Sequence, residues 1–172
     1  MTKSEIRDAS SVIIVRRDGP IPSVLLGQRG KSAVFMPNKF VFPGGAVDQS
    51  DFSVSLGDIP NPVCSRRLLE YSNIENTHAF FSAAIREVWE ETGLMFGKKC
   101  NRKITKTSDT SWKAFHDLGL EPCAKGFHFI FRAITPPNRS RRFDARFFLV
   151  DANKISGDLN DFSKASDELS HL

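Results

Sequence analysis

Three carboxylates lie close together in Ala83-Ala84-Ile85-Arg86-Glu87-Val88-Trp89-Glu90-Glu91-Thr92-Gly93-Leu94. If this stretch is helical, each residue turns the chain by about 100°, so Glu87, Glu90 and Glu91 fall within roughly 100° of one another. Phe81, Ala84, Ile85 and Val88 then cover a separate apolar arc. Carboxylates held that close repel one another unless a cation lies between them, and clustered oxygens suit Mg²⁺ or Mn²⁺. Taken alone, the same pattern also describes the solvated face of a surface helix, the usual place for Glu.

The surrounding residues narrow the choice. Arg86 to Leu94 reads Arg-Glu, an apolar residue, any residue, Glu-Glu, any residue, Gly and an apolar residue, and Phe42-Pro43-Gly44-Gly45 lies upstream. In this order the two stretches resemble the two halves of the Nudix box, the signature of hydrolases that use a divalent metal to cleave nucleoside diphosphates linked to another group. The resemblance implies that Glu87, Glu90, Glu91 and the backbone carbonyl of Gly45 hold metal. It also implies that Arg86 belongs to the catalytic set by orienting a glutamate through a charge-assisted bond. Mg²⁺ or Mn²⁺ is the implied cofactor.

The box is interrupted. Gly45 lies forty-one positions before Arg86, against fourteen in the family pattern, an excess of 27 residues. The family's Glu, counted back from Arg86, falls on His78, and Asp48 stands where Gly-Gly-x-x-Glu often has its Glu. An interruption of this kind resembles the subgroup of peroxisomal coenzyme A diphosphatases and their bacterial relatives. Phe35-Met36-Pro37 before the box and Arg141 to Phe148 after it extend the likeness. Coenzyme A or an acyl-CoA is therefore one expected substrate, although Leu25-Leu26-Gly27-Gln28-Arg29 matches a coenzyme A signature only in part, with Gly27 in place of Thr. A Nudix-fold nucleotide-binding module with weak or no hydrolysis is the alternative left open.

The elements that must position these residues can be read around them. Gly93 ends the acidic helix, expected from about Ala79 to Thr92, and Asn76 or Thr77 can cap its start. Ser11 to Val15 and Val24 to Arg29 read as a hairpin across Asp18-Gly19-Pro20. Phe40-Val41-Phe42 is a brief strand ended by Pro43, and Gly44-Gly45 permits backbone angles closed to other residues. Residues 49–77, with Pro60, Asn61, Pro62 and Asn73, form an expected insertion outside the core, with up to two turns of helix at Ser65 to Tyr71. A short helix is expected over Trp112 to Leu118, stopped by Gly119. Two paired strands are expected at Phe127 to Ile134 and Arg142 to Val150. Arg142 and Arg146 share one face of the second strand. With Arg29 they are candidate phosphate ligands, pairing with Asp144 being the structural alternative. The resulting expectation is a single α+β domain, a Nudix-type α/β/α sandwich with a mixed β-sheet.

Composition sets wider limits. With 172 residues, 40% apolar and 26% charged, the chain suits one soluble globular domain. A net charge of +4 is a mild excess, and the basic pairs Lys98-Lys99 and Arg102-Lys103 carry no interleaved aromatics, so a phosphate-bearing small molecule is expected as partner and nucleic acid is not. Cys64, Cys100 and Cys123 lack metal-binding spacing and fit reduced thiols in the cytoplasm. No stretch suits a membrane span or the apolar core of a signal peptide. A homodimer is among the expectations. The tail ends awkwardly at Leu169-Ser170-His171-Leu172. Similar proteins continue, so the natural chain is expected to extend further or to be shortened.

Overall fold

The computed structural model describes residues 5–60, 62–72, 74–100 and 110–172. Asn61, Asn73 and the basic pair Arg102-Lys103 lie outside them. The elements in chain order are β1 (Ile6–Arg16), β2 (Ser23–Val24), β3 (Gly27–Arg29), β4 (Phe40–Val41), β5 (Gly44–Ala46), a 3-10 turn (Gln49–Phe52), α1 (Pro62–Leu69) and α2 (His78–Thr92). Then follow β6 (Gly97–Lys99), α3 (Thr110–Asp117), β7 (Leu120–Pro122), β8 (His128–Ile134), β9 (Arg142–Asp151), a 3-10 turn (Ala152–Lys154) and β10 (Leu169–Ser170).

The main sheet runs β2-β1-β9-β8, with β5 added beside the first half of β1. β1 and β9 pair in parallel over ten residues, from Ile6↔Arg142 to Val15↔Asp151. The remaining pairings are antiparallel, so the sheet is mixed. With the three helices it forms the α+β sandwich expected from the sequence. The anticipated β8–β9 pairing is present, broken by a bulge between Phe129 and Phe131. The first hairpin is shorter than expected: only Ser23–Val24 pairs with β1, while Gly27–Arg29 turns into a second small sheet, β10-β3-β4. Among the described residues no helix is long and apolar enough to cross a membrane.

α2 is the central helix. Phe80, Phe81, Ala84, Ile85 and Val88 are fully buried, the i, i+3, i+4 stripe that drives an amphipathic helix onto a sheet. Its first turn is closed by the Asn76 side chain, which accepts from the His78 N–H at 3.0 Å, and Gly93 ends it at φ +75°. Phe81 and Phe148 pack at 5.1 Å between ring centroids, joining α2 to β9.

The insertion does not lie outside the core. Cys64 and Leu68 on α1 are buried within the main apolar cluster, and Cys64 Sγ accepts from the Phe129 N–H on β8. Upstream, Gly57 N–H donates to Pro122 O, and Lys98 pairs with Asp58 at 3.1 Å. A segment of this composition still supplies an apolar face when it holds one short amphipathic helix, and α1 uses that face to cover β8.

Candidate active site

The backbone of β5 forms the floor of the site. Ser10 lies opposite Gly45 and Ser11 opposite Gly44. Gly44 has φ +152°, and a Cβ there would come within 2.6 Å of Ser11 Cα and closer still to Ser10 O, so only glycine fits. A Cβ on Gly45 would lie 2.6 Å from Glu87 Oε2 and nearer to Oε1. The missing side chain therefore lets the helix carboxylate come right up to the strand backbone. Gly44 N–H donates to Glu91 Oε2 at 2.8 Å.

Arg86, itself buried, organises the acids. Nε and Nη2 grip Asp51 at 3.0 Å each, Nη2 also donates to Ala46 O at 2.9 Å, and Nη1 donates to Glu87 Oε1 at 2.9 Å and Glu90 Oε2 at 3.0 Å. All of the guanidinium's N–H donors are thus used. Burial disfavours its charge, but Asp51, Glu87 and Glu90 outweigh that and raise its pKa. Asp51 is fully buried, and the Asp48 N–H also donates to it at 2.8 Å.

Asp51 was missed in the sequence. Counting the box's acid back from Arg86 leads to His78, whereas counting six forward from Gly45 leads to Asp51, which occupies the acid's place beside Arg86. The excess length therefore enters after Asp51. Asp48 remains exposed, 3.3 Å from Arg7 and 3.8 Å from Arg86.

Glu87 and Glu91 lie in surroundings that disfavour their charged forms. Burial pushes Glu87 up to about 7 and Glu91 up to about 8, further raised by their neighbours' negative charge and opposed by Arg86 and by the Gly44 N–H respectively. Glu90 shares the Arg86 Nη1 with Glu87 and also accepts from the Ser111 hydroxyl of α3. Among the described residues no three Asp, Glu, His or Cys side chains stand together as a finished ligand cluster. A buried and a partly buried carboxylate, Glu91 and Glu87, against a glycine backbone are nevertheless an all-oxygen donor set, which fits a hard divalent cation.

The three candidate arginines have different surroundings. Arg29 reaches to 4.0 Å from Glu91 Oε1, and its Nε is buried without a hydrogen-bond partner. Arg146 is fully buried, paired with Asp144 and Asp8 and stacked on Phe80 at 4.7 Å. Arg142 is buried and donates to Thr135 O. The polar face of β9 therefore lies inside the molecule instead of lining an open pocket: Arg146 and Phe148 on that face pack on Phe80 and Phe81 of α2. In the insertion, Arg67 rests over the Phe129 ring at 5.3 Å.

No family model matches the chain. A Caenorhabditis elegans protein assigned as nudix hydrolase 7 is 33% identical over 156 residues, which cover 86% of this chain and 45% of that protein. The chain thus spans less than half the length of this curated relative. Among solved structures, a NUDIX hydrolase from Alicyclobacillus acidocaldarius superimposes with a TM-score of 0.72 at 27% identity, covering 98% of this chain and 78% of that one. The fold is that of the Nudix hydrolases, and the likeness in sequence and in structure supports placing this chain in that family.

Proposed function

We propose that the protein is a metal-dependent hydrolase that cleaves the diphosphate bond of a nucleoside diphosphate linked to another moiety. The observation that carries this reading is the pair of carboxylates, buried Glu91 and partly buried Glu87, set against Gly44-Gly45. Glu87, Glu91 and the Gly45 carbonyl would hold Mg²⁺ or Mn²⁺. Such an ion, when bound, activates a water and neutralises charge on the diphosphate. Arg86 positions Glu87 and Glu90 and does not reach substrate. Arg29, beside Glu91 with one donor unused, binds a substrate phosphate.

For coenzyme A or an acyl-CoA as substrate the support is resemblance alone. Arg142 and Arg146 are buried inside the fold, whereas Arg29 is partly exposed beside Glu91, so Arg29 is the residue placed to meet the phosphates. The test is product release from coenzyme A, its dephospho form and a nucleotide sugar, with Mg²⁺ and with chelator. Cleavage that chelator abolishes supports the hydrolase, and a preference for coenzyme A of about tenfold or more supports the narrower substrate. Equal rates on all three leave a broad diphosphatase. A second reading, a nucleotide-binding module without turnover, is favoured by the capture of Glu90 by Arg86 and Ser111. Binding without cleavage in the same panel would establish it.

A further inference from the structure

We propose that Leu169 is a positioning residue for Arg29, holding its guanidinium beside Glu91 where a substrate phosphate can meet it. The inference rests on the reading of Arg29 as a phosphate ligand.

β3 is the middle strand of its sheet, between β4 and β10. Toward β4, Arg29 N–H donates to Lys39 O at 3.0 Å, and Arg29 O accepts from Asn38 N–H at 3.1 Å. Both backbone groups of Arg29 therefore point away from β10, although Leu169 lies directly opposite it in antiparallel register. Such a pair is the non-hydrogen-bonded kind, in which Cα atoms stand about 4.5 Å apart and side chains approach most closely. Paired residues leave a sheet on the same face, so the Leu169 side chain flanks the Arg29 stem. Gly27, two positions back along β3, gives Leu169 its room: a Cβ there would come within 2.7 Å of Leu169 Cδ1 and 2.8 Å of its Cβ.

Leu169 is buried, whereas Arg29 is partly exposed, so the leucine forms an apolar wall along one side of a flexible stem and leaves the head free. The wall is tied to the acids as well. Ser166 N–H donates to Glu90 O at 2.9 Å, which bonds the segment carrying Leu169 to the last turn of α2, next to Glu91. Leu169 thus keeps Arg29 and Glu91 in one frame, with Arg29 Nη1 4.0 Å from Glu91 Oε1.

The experiment is calorimetric titration of the full chain with ADP and Mg²⁺, arranged as a double-mutant cycle of Leu169 and Arg29. Arg29→Ala is expected to weaken ADP binding by about tenfold or more, the loss of a charged hydrogen-bond donor. Leu169→Ala is expected to weaken it about fivefold, and to add less than about twofold once Arg29 is replaced, since no guanidinium then remains to be positioned. Leu169→Met, of similar volume, is expected to keep wild-type affinity. Leu169→Val, a milder truncation, carries the same cycle should Leu169→Ala fail to fold. Additive losses in the double variant, or wild-type affinity in a folded Leu169→Ala, would overturn the inference and leave Arg29 as the phosphate ligand. Wild-type affinity in Arg29→Ala would sink the phosphate reading itself and the inference with it.

Discussion

Asp51 and Arg86, 35 positions apart, meet fork to fork in the interior, with two parallel N–H···O bonds of 3.0 Å. This pair closes the gap that the interruption opens, because it ties the strand end that carries Gly45 to the helix that carries the glutamates. Glu87 and Glu90 hang from the same guanidinium, so the geometry of these acids depends on Asp51 through the Arg86 it holds.

Removing Asp51 should therefore be costly. Asp51→Ala leaves a buried guanidinium short of its main partner and is expected to destabilise the fold by about 3–5 kcal/mol, measured by urea denaturation. A variant as stable as wild type would show that the pair contributes little.

Stability should fall with rising pH in the absence of metal. Glu87 and Glu91 are raised from 4.5 to about 7 and about 8, chiefly by burial, so between pH 4.5 and 8 the folded chain holds protons that the unfolded chain has released. Their contribution is intact at the acid end of that window and is lost as pH climbs through the folded values. Melting temperatures in chelator should decline from pH 5.5 to 8.5, and the decline should shrink in Glu87→Gln and Glu91→Gln. Added Mg²⁺ should stabilise most at the alkaline end, where the carboxylates are ionised. A flat wild-type profile would contradict the assignment.

Gly45→Ala should separate function from folding. Its methyl collides with the Glu87 carboxylate and not with the core, so metal affinity and turnover should drop by at least about tenfold while stability changes little. Gly44→Ala, by contrast, meets the backbone of Ser10 and Ser11 at φ +152° and should destabilise the protein by about 1–3 kcal/mol. Matched behaviour of the two variants in denaturation and Mn²⁺ titration would refute this division.

The insertion should prove part of the fold. Leu68→Ala removes a fully buried side chain from the interface of α1 with the core and is expected to cost about 2–5 kcal/mol. Replacing residues 53–77 by a short Gly-Ser link should expose the apolar surface that Cys64 and Leu68 cover, read out as a lower urea midpoint. An unchanged midpoint would return the segment to the periphery.

What the sequence determined by itself is local. The apolar stripe of α2, its stop at Gly93, the need for glycine at the end of β5 and the apolar periodicity of β8 and β9 depend on neighbours a few positions away, so spacing was enough to find them. It was also enough to place Glu87, Glu90 and Glu91 on one helix. Tertiary structure decided what each of them meets: Glu87 and Glu91 lie against Gly44-Gly45, and Glu90 shares Arg86 with Glu87 while also accepting from Ser111 on α3. It also decided that Asp51 is the acid Arg86 needs and that Arg146 serves Asp8 and Asp144 inside the sheet. Each of these pairings joins residues far apart in the chain or depends on which face of a strand is covered. Strand register and burial fix them, because a buried charge must find whatever partner the packed elements bring within reach.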